Sequence, residues 1–205
     1  MRGVFITFEG VEGSGKTTQM KRLARGLRRA GHAVECTREP DGTRLGVEIR
    51  RLFEEAPDRL AELWLFMAAR RQHVVEKIAP WLKKGRIVLC DRYTDATIAY
   101  QGYGRGVDLE MIRDLNLRAT GGILPDLTLL FDLSPAEGFR RIGGRRLDRF
   151  EQLGLGFHRR VRRGYLEICR AEPKRVRRID AARTTDAVAA DVRTIVEEAL
   201  ARCRR

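Results

Sequence analysis

No apolar run in this sequence approaches the ~18 residues that a membrane span requires, and no basic lead, apolar stretch and small-residue cleavage site opens it. These absences lead us to expect a soluble, cytoplasmic protein with no membrane partner. Four cysteines, Cys36, Cys90, Cys169 and Cys203, are scattered without a CxxC pair, so neither a zinc site nor a disulfide framework is suggested, and a reducing compartment fits. Cys36 and Cys90 lie in apolar runs and read as small packing residues. The three histidines, His32, His73 and His158, show no ligand-like grouping. Repeats, low-complexity tracts and composition breaks are also missing, so residues 1–205 are expected to form a single domain.

Acidic residues are in deficit, with 28 Asp and Glu against 41 Lys and Arg, for a formal charge of +13. The excess is local: between Gly138 and Arg178 there are 14 Arg or Lys and 4 Asp or Glu, a surplus of +10. Such a segment suits either nucleic acid or a small polyphosphate. Proteins that track single strands interleave basic side chains with aromatic stacking platforms. Here that segment holds only Phe139, Phe150, Phe157 and Tyr165. A nucleic-acid-binding ATPase therefore stands as the alternative, and a small-substrate enzyme without a nucleic-acid partner as the main expectation.

What is present is organised as short β-branched runs separated by helical spacing. Val4–Phe8, Ala33–Thr37, Arg86–Asp91, Asp126–Asp132 and Arg175–Asp180 read as five strands. Lys16–Arg29 has helical spacing. A longer helix is expected from Asp58 to Lys84, with Leu60, Leu63, Trp64, Met67, Val74, Ile78, Trp81 and Leu82 near one apolar face and Pro80 bending or ending it. Alternation of this kind implies right-handed crossovers and an α/β fold, a doubly wound parallel five-stranded sheet.

Between the first strand and first helix, Gly10-Val11-Glu12-Gly13-Ser14-Gly15-Lys16-Thr17 matches the phosphate-loop pattern G-x-x-x-x-G-K-[ST] in the context it needs. Its glycines let successive N–H groups face a phosphate, and the helix N-terminus adds its dipole. Lys16 is expected at the β- and γ-phosphates of a nucleoside triphosphate, the Thr17 hydroxyl on Mg²⁺, and Thr18 beside them. The acid that completes the metal site is expected at Asp91, with Asp132 as competitor. Arg38 and Arg92 follow strand ends, where α/β enzymes place ligand loops, and could converge on one monophosphate. Phe66 and Arg70, one helical turn apart, could stack on a base and donate to its carbonyl.

The chain resembles bacterial thymidylate kinases through FEGVEGSGKTTQ, TREPDGT, LFMAARRQ, DRYTDATIAYQGYGRG, LPDLTLLFDLSP and RRLDRFEQ, in that order from end to end. The resemblance implies a P-loop nucleoside monophosphate kinase fold that transfers phosphoryl from ATP to dTMP, with Mg²⁺, as a homodimer. It puts Phe66 on the thymine face, Arg70 on a thymine carbonyl, and Thr97 near the pyrimidine N3 edge. Tyr100 is implied at the sugar's 2′ side, Gln101 in the same pocket, Arg38 and Arg92 on the dTMP phosphate, and Glu12 facing the 3′-hydroxyl and acceptor phosphate. Other acceptors on this fold, dUMP and dCMP, remain alternatives.

The resemblance also identifies residues 140–151 as a closing lid that supplies a catalytic cation, because Gly13 leaves none in the phosphate loop. Arg141, Arg145 and Arg146 are its candidates. Three departures accompany it. Asp41 occupies the first position of a usual Gly-Gly pair and is expected to point outward. The lid is about one residue short, with Gly143-Gly144 where a basic residue often sits. Leu153 stands where a carboxylate is common.

Overall fold

The computed structural model describes residues 3–55, 57–144 and 148–203. The chain enters as β1 (Val4–Glu9), passes through the glycine-rich loop into α1 (Lys16–Arg29), and returns as β2 (Val34–Arg38). Next come α2 (Arg44–Leu52), α3 (Arg59–His73), a widened π turn at Val74–Ile78, α4 (Ala79–Lys83) and β3 (Ile87–Asp91). The one-turn α5 (Thr94–Thr97) runs into a second π segment, Ile98–Gly104, before α6 (Leu109–Thr120) and β4 (Leu127–Asp132). α7 (Pro135–Ile142), α8 (Gly154–Ala171), β5 (Val176–Asp180) and α9 (Thr185–Cys203) follow.

All strand pairs are parallel, in the order β2-β3-β1-β4-β5. β1 is central and its VFITFE sequence is apolar toward both layers of helices, as a doubly covered parallel strand must be. Phe5, Ile6, Phe8, Leu89, Leu129 and Phe131 are wholly inaccessible to solvent. Each such side chain contributes about 1.5–3 kcal/mol by leaving water. Register then fixes the chemistry at one edge. Phe8 lies opposite Asp91 across β1 and β3, and Arg38 lies opposite Asp91 across β2 and β3. The loop leaving β1 therefore opens beside Asp91, at the carboxyl ends of strands where the sheet order reverses.

The helix expected over Asp58–Lys84 is interrupted. Pro80 has no N–H for the carbonyl of Glu76 and its ring crowds that oxygen, and the chain accommodates this with the wide turn immediately before it. The expected apolar face is also partly wrong. Leu60 and Trp64 are 40% and 52% exposed, whereas Arg70 and His73 on the same helix are buried. Both polar side chains are tied to Glu39, just after β2, and these bonds set the rotation of α3 and turn Leu60 and Trp64 outward.

Candidate active site

The phosphate loop is built backbone against backbone. Gly13 has φ +70°, and a Cβ there would lie 2.2 Å from the carbonyl oxygen of Gly138 on α7. No side chain fits at that position, so the loop of this chain carries no cation after Glu12. Lys16 folds back over the loop, its Nζ donating to the carbonyls of Gly10 and Val11 at 2.9 Å each. Burial, reinforced by the nearby Arg92 charge, pulls the Lys16 pKa down. Thr17 Oγ1 donates to Asp91 Oδ2 at 2.5 Å, which aims both oxygens at one point. Asp132 is engaged elsewhere, by Arg162 and Arg178.

Arg92 is the one described non-glycine residue with positive φ, +69°. That strained backbone turns its guanidinium onto Glu12 and over the ring of Tyr100, 4.8 Å from the centroid. Burial opposes ionisation of Glu12, but the Arg92 guanidinium, then the Lys16 ammonium, outweigh it and hold its pKa at about 2. Tyr100 donates its hydroxyl to the same carboxylate at 3.2 Å. Behind them Glu9 is fully buried, and desolvation followed by repulsion from Asp95 pushes its pKa up to about 7. It accepts from the Tyr93 N–H at 2.7 Å and the Tyr165 hydroxyl at 2.8 Å.

Two cavities meet at Glu12 and Arg92. One, of about 430 Å³, is lined by Glu12–Thr18 together with Arg38, Asp91 and Arg141. The other, of about 280 Å³, is walled by Phe53, Phe66, Phe150, Thr97, Tyr100 and Gln101. Phe66 stacks on Phe53 with centroids 4.4 Å apart, so one of its faces is already covered and the remaining one serves the chamber. Arg50 borders both cavities and donates to Asp148 at 3.2 Å. Arg50 and Phe53 escaped the sequence reading, although their i, i+3 spacing just past TREPDGT was a usable signal.

Arg70 differs from expectation. Instead of flanking an apolar stripe with donors to spare, it is 1% exposed and its guanidinium is fully engaged. Nε and Nη2 donate to Glu39 Oε2, Nη1 to Thr97 and Asn116, and Nη2 also to the Tyr93 carbonyl. A base carbonyl reaches Nη1 only by replacing Thr97 or Asn116.

Asp41 is the second correction. It has no left-handed backbone and does not face outward. Its side chain is 13% exposed, lines the phosphate cleft and binds the 62% exposed Arg38 at 2.6 Å. The guanidinium three residues back draws it in. Because such an exposed pair is worth about 0–1 kcal/mol, Asp41→Gly should lower the KM of a monophosphate acceptor that uses Arg38 by about two- to fivefold. Initial rates at saturating triphosphate measure this, and a raised KM would sink it.

On the lid side, Arg140 pairs with Glu137 and faces solvent, while Arg141 borders the cleft and donates to the Ala181 carbonyl at 2.9 Å. Arg145 and Arg146 lie outside the described residues. The basic segment is not a free cationic face. Arg140, Arg141, Arg149, Arg162, Arg170, Arg175, Arg177 and Arg178 each have a carboxylate partner. His158 is buried against Phe139, Phe157 and Tyr100, and His73 bonds Glu39 and Thr37, both packing roles.

A phosphate loop at the reversal of a parallel sheet, sharing Glu12 and Arg92 with an aromatic chamber, is the construction of a P-loop nucleoside monophosphate kinase. A solved thymidylate kinase from Ehrlichia chaffeensis superposes with a TM-score of 0.78 at 37% identity, covering 96% of this chain and 99% of that one. The thymidylate kinase family model matches residues 8–192. Thymidylate kinases of Deinococcus radiodurans and a Synechococcus species are 48% and 51% identical, each over 96% of this chain and over 98% and 96% of their own lengths. The chain belongs to the thymidylate kinase family.

Proposed function

We propose that this enzyme transfers the γ-phosphoryl group of ATP to dTMP. A dTMP phosphate oxygen forms the new bond to the γ-phosphorus, the bond from that phosphorus to the β–γ bridging oxygen breaks, and ADP and dTDP leave. The observation that carries this reading is the meeting of the two cavities at Glu12 and Arg92. The loop chamber takes the triphosphate of ATP on Gly10–Thr18, and the aromatic chamber takes thymine against Phe66, with Thr97, Tyr100 and Gln101 around the nucleoside.

Little covalent work falls to protein groups in such a transfer, so catalysis rests on alignment and on cations around the moving charge. Lys16 serves the β- and γ-phosphates. Arg92 and Arg38 hold the acceptor phosphate, and Glu12 orients Arg92 while facing the sugar. Arg141, Arg145 or Arg146 supplies the lid cation. Thr17 and Asp91 fit Mg²⁺, since paired oxygen donors suit a hard cation that takes its other ligands from water and phosphate. When bound, the ion neutralises charge on the β- and γ-phosphates.

We assign the reaction to one kinase domain, in the cytoplasm, acting as a homodimer. Free cysteines among the described residues support a reducing compartment. Half-exposed Leu52, Trp64 and Leu117, on the neighbouring helices α2, α3 and α6, support a subunit contact, which sedimentation velocity checks.

ADP release with dTMP, dUMP, dCMP and dGMP as acceptors tests the substrate. Activity on another acceptor with none on dTMP would overturn the proposal. Glu12→Ala should raise the KM for dTMP by about tenfold or more and change ATP affinity by less than about threefold. Equal losses for both substrates would show that Glu12 belongs to the loop alone.

A further inference from the structure

Just outside the aromatic chamber sits a carboxylate that phosphoryl transfer does not use. Glu62, on α3, is wholly buried. Every polar group that the described residues bring to it is a donor. Gln101 Nε2 is at 3.1 Å, Arg105 Nε and Nη2 are at 3.3 and 2.9 Å, and Arg149 Nη1 is at 3.4 Å. A carboxylate among donors accepts, so it takes the NH₂ of the Gln101 amide and rejects its carbonyl.

Gln101 is itself 1% exposed and lines the chamber beside Thr97 and Phe66. Its amide is planar, with nitrogen and oxygen on opposite branches. Anchoring Nε2 on Glu62 leaves Oε1, an acceptor, for whatever enters the chamber. No hydrogen bond to Oε1 occurs among the described residues.

We propose that Glu62 is a positioning residue for base choice. By fixing the turn of the Gln101 amide, it makes the chamber select a pyrimidine with an N–H on its pairing edge. Thymine and uracil carry that hydrogen at N3. Cytosine has a bare acceptor there, and two facing acceptors repel while each goes without a partner. The contact does not read the 5-methyl group, so it treats dUMP as it treats dTMP. This inference rests on the reading that the aromatic chamber holds the base of the acceptor.

The test compares the Kd of dTMP and dCMP by calorimetry in the parent enzyme, Glu62→Gln and Gln101→Leu. Glutamine at 62 keeps the size but offers both donor and acceptor, so the Gln101 amide is free to turn over. The dTMP preference should shrink by about tenfold or more in Glu62→Gln, with ATP affinity held within about twofold. A uniform loss for both nucleotides would overturn the proposal, because a merely structural Glu62 has no reason to change the ratio. If Gln101→Leu erases the preference and Glu62→Gln keeps it, the assignment to Glu62 fails. If Gln101→Leu also keeps it, the placement of the base beside Gln101 fails. A measurement on the unaltered enzyme needs no variant to fold: N3-methyl-dTMP should bind about 100-fold more weakly than dTMP, and equal binding would overturn the proposal.

Discussion

Lys16→Met should lower kcat/KM by about 10³-fold or more, as expected for loss of a cation at a transferring phosphoryl group, while the melting temperature stays level or rises. The two halves of this result have separate causes. The Lys16 side chain is buried at the start of α1, where desolvation and the Arg92 charge both work against its protonated form. Methionine has similar length and brings no charge to desolvate. The buried Gly10 and Val11 carbonyls lose the donor that Nζ now provides, a cost of about 1–3 kcal/mol that the removal of a desolvated charge offsets. Removing the charge therefore relieves the fold and disarms the chemistry. Steady-state kinetics with thermal denaturation reads both, and a rate loss below about tenfold would remove Lys16 from the reaction.

This split between chemistry and stability also explains what could be read from the sequence. All five strands are legible within a residue or two: β1, β3 and β4 are short apolar runs that the parallel sheet buries on both faces, and the partly buried edge strands β2 and β5 are marked by their β-branched Val34, Thr37, Val176 and Ile179. The phosphate loop is legible because its glycines meet a backbone requirement that local sequence expresses. Strand order is not, since nothing in RIVLCD states that it lies between β1 and β2. Rotation of α3 failed for a related reason. Periodicity weighs Leu60 and Trp64 by hydrophobicity, but the helix is turned by the ties of Arg70 and His73 to Glu39, more than 30 residues away. Asp41 failed because its orientation depends on the free end of Arg38. α3 was misread because its partners are distant in sequence, and Asp41 because a local side-chain ion pair leaves no periodic signal.

Arg70→Met should do the opposite of Lys16→Met and damage the fold as well as dTMP binding. Arg70 spends its donors on Glu39, Thr97, Asn116 and the Tyr93 carbonyl, and it is the main cation facing Glu39. Burial opposes ionisation of that carboxylate, and Arg70 first, then His73, overcome it and hold its pKa down. Without the guanidinium, Glu39 is a buried charge with His73 alone, and breaking such a pair costs about 3–5 kcal/mol. For a chain of this size that corresponds to a fall of roughly 10 °C in melting temperature. The sign of the pH dependence follows. Glu39 is depressed in the folded enzyme, so its contribution is present above its unfolded value of 4.5 and is lost as pH falls through the lower folded value. In Arg70→Met that contribution is gone, so the gap between parent and variant should be widest near neutral pH and narrow under acid. Adding Glu39→Gln to Arg70→Met should restore much of the stability, since no charge is then left unpaired. It should not restore dTMP affinity, because Thr97 still lacks the Nη1 contact that fixes it in the chamber. Melting curves from pH 3 to 8 with dTMP titrations at neutral pH separate the two roles. A single variant as stable as the parent would refute the structural role, and dTMP affinity regained with stability in the double variant would refute the substrate role.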